Sequence, residues 1–429
     1  MSDEAKKKAP SRRLALSGLG LAGLAGVGLA LRKGDKGSGG HDAYFAGVAR
    51  ALHEAGIAQP TLVIDRARLI QNVEAVKSTL AGTKLGVRVV VKSLPAIALI
   101  EAVAKGLNTD RFMVFNGAML GEMRERHPEA DLLLGKPLPV VQAHAFYTRF
   151  KDGESPQWLI DTPERLAQYA ELARAMGVKM RVNFEIDVGL HRGGFRNAES
   201  LAQVVDTAMG DPNLQISGLM GYDPHVPKTP NPEGAFASVQ KKYTAAKQVL
   251  QDKLGPHMGG DISSLTLNTA GSPTYSLHAA GTAANEVSIG SAFVKPFDFD
   301  LKTLVRHTPA AYIATPVIKA LERTEIPSLE AVAKAASILD PNTERAFFIY
   351  GGHWLARPVS PPGLQYSDMF GRSSNQEMLT GSRRVTLKPD DFVFLRPNQS
   401  EAVFLQFGDM ALYDQGKIAA MWPTFPVSA

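Results

Sequence analysis

The first residue in this chain with the makings of chemistry is a lysine at the end of a β-branched run. The run is VRVVVKS, residues 87–93. So dense a stretch of valine reads as a strand buried on both faces, as in a parallel sheet. Lys92 stands at its C-terminal end, where parallel α/β proteins carry their reactive groups. Burial favours the neutral form of a lysine, and a neutral amine condenses with aldehydes. The alternative reading is a lysine whose stem lies along the sheet while its head reaches water.

Further candidates fall at comparable places. DVGLHRGGF, 187–195, sets Arg192 among glycines that permit close backbone approach. A guanidinium there suits a phenolate or carboxylate as a fixed cation. Tyr222, Asp223 and His225 follow the next strand, and Asp223 and His225 are acid–base candidates. His225 lies between Pro224 and Pro227, a setting equally suited to a structural histidine. NTAGSPT, 268–274, is a loop of small residues with hydroxyls at Thr269, Ser272 and Thr274. Its amides and hydroxyls suit a phosphate, although the same residues also make an ordinary turn. Gly290 and Ser291, within the last predicted strand, complete the set.

These residues need a scaffold that brings strand ends together. Between residues 87 and 294 the chain alternates strand and helix: strands are predicted at 87–93, 111–116, 131–135, 157–161, 179–187, 216–223, 264–269 and 286–294. Helices fall between most of them. Thr162-Pro163-Glu164 is a good helix start, with proline and an acid in the first turn. Eight such units in about 210 residues predict a closed (β/α)8 barrel, class α/β. An open doubly wound sheet is disfavoured because no GxGxxG follows the first strand. A barrel's usual phosphate site follows its seventh and eighth strands, where NTAGSPT and Gly290 fall. After about Leu304 short apolar runs alternate with Gly, Pro and Asp turns, which predicts an antiparallel β-domain over 305–429. The barrel is assigned to 66–304. A lead-in helix and strand occupy 41–65, and the strand, TLVID at 61–65, is free to join the β-domain.

The chain has 429 residues and a net charge of +5, and its first 36 residues carry that excess. The nearly neutral body gives no nucleic-acid signal. Cysteine is absent, which excludes disulfides, thiolate metal sites and a cysteine nucleophile. Residues 1–40 stand apart. Basic residues from Lys6 to Arg13 precede an uncharged run from Leu14 to Leu31, and Arg32, Lys33 and Lys36 follow. The pattern predicts an export signal or uncleaved membrane anchor at 14–31, with the body in the periplasm or on the periplasmic side of the inner membrane. A disordered tail on a cytoplasmic protein is the alternative.

Together, QPTLVID, VVVKS, EIDVGLHRGG, GLMGYD, TAGSPT and NEVSIGSAFV resemble the alanine-racemase-type, or fold type III, pyridoxal-phosphate enzymes. Within these the chain is most similar to the D-threonine aldolase and D-serine dehydratase branch, from about Gln59 to the C-terminus. The resemblance implies that Lys92 holds pyridoxal 5'-phosphate as an internal aldimine and that Arg192 lies near its phenolic oxygen. It implies that Tyr222 also contacts the cofactor, and that Ala270, Gly271, Ser272, Thr274, Gly290 and Ser291 hold its phosphate. It also implies a homodimer and a small amino-acid substrate. The reaction expected is a lyase reaction on a small D-amino acid. An amino-acid racemase or epimerase is the alternative, and a non-catalytic binder of the cofactor or an amino acid is a third.

Two departures stand out. The branch carries a divalent metal on a Pro-Asn-His motif, with Cys or Asp two residues later. Here that stretch reads PNQSE, placing Gln399 and Glu401 at the metal positions. An amide is a poor transition-metal ligand. Asp223 also replaces the histidine that follows the family's tyrosine. His225 and His353 are imidazoles that could rebuild a metal site with Glu401.

Overall fold

The computed structural model describes residues 32–151, 155–325, 337–367 and 371–426. The predicted anchor at 14–31 lies outside the described residues. Among those described, no helix is long and apolar enough to cross a membrane.

Strand β1, Thr61–Asp65, precedes the barrel. The barrel strands are β2 (Gly86–Val90), β3 (Arg111–Val114), β4 (Asp131–Leu134), β5 (Gln157–Ile160), β6 (Met180–Ile186), β7 (Leu214–Gly221), β8 (Thr266–Thr269) and β9 (Glu286–Ile289). They close in sequence order, and β9 pairs in parallel with β2 from Gly86↔Glu286 to Val89↔Ile289. The predicted (β/α)8 architecture is therefore present. Several helices start where the sequence supplies a side-chain cap, as at Asp65, Asn116, Thr162 and Asn197. In Pro163–Met176, Thr162 accepts from the Arg165 amide, proline opens the first turn, and Gly177 ends it with a left-handed backbone.

The strand predictions run long at the C-terminal ends. VRVVVKS stops being a strand at Val90, and Lys92 sits in the 3₁₀ turn Val91–Ser93. EVSIGSAFV likewise stops at Ile289 and turns through Ser291–Phe293. β-branched residues favour extended backbone, but barrel strands end where their neighbours stop pairing, and no local propensity marks that point.

The barrel interior is filled by a polar layer. Arg88 on β2 is fully buried, its guanidinium shared by Glu286 (2.6 Å) and Asp131 (2.6 Å). Gln157 donates to Asp131, and Asn183 donates to Gln157. Asn268 on β8 bonds both Glu286 (2.7 Å) and Ser288 (2.8 Å). Burial raises the Asp131 carboxyl, but Arg88, Gln157 and Arg181 outweigh it and hold it at about 2.

The second sheet is built from β10 (Ala311–Leu321), β11 (Arg345–Tyr350), β12 (Ala356–Ser360), β13 (Gln365–Tyr366), β14 (Gln376–Gly381), β15 (Phe392–Pro397), β16 (Met410–Asp414) and β17 (Lys417–Trp422), joined by β1. TLVID does join this sheet. It pairs antiparallel with β10 but parallel with β16, so the domain is antiparallel-rich rather than wholly antiparallel. The helix Ala43–Glu54 covers one face, packing Phe45, Val48 and Leu52 against Val63, Tyr312 and Phe394.

Candidate functional site

At the C-terminal mouth of the barrel a cavity opens. Lys92, Arg192, Tyr222, Ala270, Gly271, Ser272, Gly290 and Ser291 all line it, as does Glu401 from the second sheet's side of the molecule. Asn268 and Ser288 also line it and tie it to the polar layer below.

The turn Val91–Ser93 lifts Lys92 off the strand, so the amine is not buried in valine as the sequence suggested. Its Nζ lies 4.5 Å over the Phe115 ring and 3.8 Å from Glu401 Oε1. Glu401 is itself held in place. Ser93 Oγ donates to its Oε1 at 2.7 Å, and Ser400 Oγ donates to its Oε2 at 3.2 Å.

Two turns meet in the cavity lining. Ser272 Oγ accepts from the amides of Gly290 (3.1 Å) and Ala292 (3.0 Å), binding the loop after β8 to the turn after β9. Ala270 adopts a left-handed backbone, φ 65°, to make the first turn. A side chain at Gly271 would place its Cβ 2.6 Å from Tyr222 Cε2, and one at Gly290 would stand 2.7 Å from Ser93 Oγ. Both positions must be bare for the turns to approach their neighbours.

Arg192 is presented by a closed loop. Asp187 accepts from the amides of Gly189 and His191 and from the His191 ring, while Phe195 bonds back to Glu185 and Asp187. The Arg192 guanidinium lies 5.0 Å over the Tyr222 ring and 3.5 Å from Glu185 Oε1. Burial pushes the Tyr222 phenol up to about 12, with Arg192 opposing it. Burial also raises the Glu185 carboxyl, again against Arg192.

Four predicted site residues stand elsewhere. Asp223 is fully buried behind the loop, where its Oδ1 accepts from Thr274 Oγ1 at 2.5 Å and its Oδ2 meets His278 Nε2 at 2.9 Å. Neither Asp223 nor Thr274 lines the cavity. They brace the turn, since Thr274 Oγ1 also accepts from the Gly271 amide. His225 lies beside Gly189, where a Cβ would come 3.1 Å from its Nε2, and is likewise absent from the cavity lining. Gln399 is exposed and donates to Asp298 at 3.1 Å, away from the cavity. Sequence reasoning missed Glu185, Ser93, Ser400 and His278. Glu185 and Ser93 lie inside the quoted motifs, but nothing in the sequence marks His278 as the partner of Asp223.

The donor set does not fit a divalent metal. Glu401 is the one carboxylate of the lining, with no imidazole beside it. Among the described residues, no group of three or more His, Cys, Asp or Glu is disposed to hold an ion, so His225 and His353 do not complete a site with Glu401. The same cavity does fit a phosphorylated aldehyde. It is lined by an amine, two glycine-opened turns and a guanidinium lying over the Tyr222 ring.

Residues 64–296 match the family described as Alanine racemase, N-terminal domain. No curated protein matches the chain in sequence. Among solved structures it is similar to D-threonine aldolase from Filomicrobium marinum, at TM-score 0.66 and 15% identity, covering 85% of this chain and 94% of that one. D-threo-3-hydroxyaspartate dehydratase from Delftia sp. HT23 gives TM-score 0.65 and 15% identity, with 85% and 97% covered. Alanine racemase from Bacillus anthracis gives 0.63 and 14%, with 85% and 98% covered. At these identities the likeness is one of fold. The family match spans more than half of the 429 residues and contains the amine, the arginine loop and both glycine turns. The chain belongs to the alanine racemase N-terminal domain family, whose fold type III barrel is pyridoxal-phosphate dependent.

Proposed function

We propose that this chain is a pyridoxal-phosphate-dependent lyase acting on a small D-amino acid. The observation that carries the reading is the convergence of Lys92, the Arg192–Tyr222 pair and the Gly271–Ser272/Gly290–Ser291 turns around one cavity. Lys92 would hold the cofactor's carbonyl carbon, and the two turns its phosphate. When bound, the cofactor withdraws electrons from the substrate's Cα. The chain's own groups do the rest. Arg192, fixed by Glu185 and Tyr222, offers a permanent cation and does not shuttle protons. Lys92, once freed by the substrate amine, is the base or acid at Cα. The apolar wall of Met113, Phe115 and Met220 limits water around that amine.

A racemase or epimerase is the second reading. The cavity's poor metal donor set favours it, because proton transfer at Cα needs only the groups already facing the cavity. The proposal includes a homodimer and, from residues 14–31, attachment at the inner membrane with the body in the periplasm.

The test has two parts. Protein loaded with pyridoxal phosphate is expected to show a visible absorbance band that Lys92→Ala abolishes. Mass-spectrometric and chiral analysis of products from D- and L-serine and threonine then separates the readings. An aldehyde or oxoacid supports the lyase, and the mirror-image amino acid supports the racemase. A stable band with no turnover on a broad amino-acid panel would identify a binder. Absence of any Lys92-dependent band would end the cofactor reading.

A further inference from the structure

The stretch 32–40 has the composition of a flexible spacer, yet it is built into the β-domain. The Lys33 amide donates to the Leu339 carbonyl at 2.8 Å, and Lys33 Nζ pairs with Asp340 at 2.9 Å. Asn342, almost fully buried, grips the backbone of the stretch. Its Oδ1 accepts from the Lys36 amide at 2.8 Å, and its Nδ2 donates to the Gly34 carbonyl at 2.9 Å. Gly37 is buried, and Gly363 packs so closely on it that a Cβ at Gly363 would come 2.6 Å from the Gly37 nitrogen. His41 closes this strap with ring contacts to Ser360 Oγ (2.8 Å) and the Phe392 carbonyl (3.0 Å).

Reach decides what such a strap does. A free Gly/Ser chain of about nine residues averages ~17 Å end to end and spans ~30 Å when extended. A body on that tether would hang clear of a membrane. Here the pin is already at Lys33, and covalent geometry alone keeps the end of the 14–31 run within ~8 Å of it. The polar layer of a bilayer is itself ~5–8 Å deep on each side. With residues 14–31 in a bilayer, the edge of the β-domain at Leu339 therefore lies against the headgroups.

That edge has the side chains for the contact. Ile338 and Leu339 are 63% and 44% exposed. Arg32 and Lys36 are exposed on the strap, and Arg384 is exposed beside Gly37. Asp35 stands among these cations. Ser382, the Gly37 amide, Arg384 and Arg32 hold its carboxyl below the usual range. Apolar side chains beside lysine and arginine suit the surface of an anionic leaflet.

We propose that the β-domain edge formed by Ile338, Leu339 and the 32–37 strap is seated on an anionic phospholipid surface, which holds the protein in one orientation against the membrane. This inference rests on the attachment proposed for residues 14–31 and adds which face meets the lipid.

The test uses the full chain, which has no cysteine of its own. Ile338→Cys carries a polarity-sensitive dye, and Val141→Cys, 78% exposed on the barrel helix Val140–Arg149, carries it as the control. Each labelled protein is reconstituted into vesicles of phosphatidylglycerol and phosphatidylcholine, with and without a headgroup-attached quencher. The dye at position 338 is expected to shift to the blue and to lose at least about half its emission to the quencher, while the dye at position 141 changes by less than about a tenth. Arg384→Glu should reduce the quenching at position 338 about twofold, and equal quenching in that variant overturns the anionic-lipid contact. If the protein floats with the vesicles while the dye at position 338 emits as it does in water, the inference is overturned and the anchor stands. If that dye shifts without vesicles as the protein concentration rises, a second copy covers the edge and the inference is likewise overturned. If the full chain does not float with vesicles, the anchor reading fails and takes the inference with it.

Discussion

Asp223→Ala separates a bracing role from a catalytic one. The residue is fully buried and receives two donors, Thr274 Oγ1 at 2.5 Å and His278 Nε2 at 2.9 Å. Stranding a buried donor costs about 1–3 kcal/mol, so losing both acceptors is expected to cost ~4 kcal/mol of stability. Asp223→Asn keeps an oxygen for Thr274 and donates its amide to His278 Nε2 once the imidazole proton moves to Nδ1, which faces Thr282 Oγ1 at 3.0 Å, so its cost is expected near ~1 kcal/mol. Urea unfolding followed through Trp158, which is fully buried in the barrel, measures both. Because Thr274 also fixes the Gly271 amide, Asp223→Ala should weaken pyridoxal-phosphate binding about 10-fold as well. The reasoning is refuted if Asp223→Ala unfolds within ~0.5 kcal/mol of wild type, or if the asparagine variant is as damaged as the alanine one.

Two further predictions follow from the geometry. Gly271→Ala forces a Cβ to within 2.6 Å of Tyr222 Cε2, so the ring, which lines the cavity, must shift. Cofactor affinity should fall at least about 10-fold with a stability loss of only ~1–2 kcal/mol, and an unchanged titration with pyridoxal phosphate would contradict this. His307 is buried against Tyr275, and burial holds its imidazole at about 4 in place of the usual 6.5. The unfolded chain takes up that proton first, so stability is lost as the pH falls from 6.5 to 4 and levels off below. The loss is about 3 kcal/mol over that interval, and His307→Gln should flatten it in urea midpoints measured across the range.

Much of the barrel was legible because its strands are dense in β-branched residues and its helices carry explicit caps, as at Thr162 and Pro163. The cavity-facing residues were legible where chemistry and strand end coincide, as at Lys92, Arg192 and Ser272. Tertiary placement was less so. Lys92 leaves the valine run through a 3₁₀ turn, and the run itself does not announce it. Glu401 was read as the remnant of a metal pair, but it lies beside an amine and serines from three separate stretches, which no spacing reveals. Asp223 and His225 were read as acid–base groups on strand-end position alone. Their side chains point behind the loop and beside Gly189, because direction depends on the turn each strand makes after it ends.

The ionic filling around Arg88 has a bearing on traffic. Asn268 and Ser288 form the floor of the cavity and stand on Glu286, which holds a guanidinium that is itself clamped to Asp131. The barrel is thus a sack and not a tube. Whatever enters at Lys92 leaves by the same end of the barrel, where Glu401 and Phe299 also line the cavity. Entry and exit therefore share the mouth end of the barrel, with no path through its ionic interior.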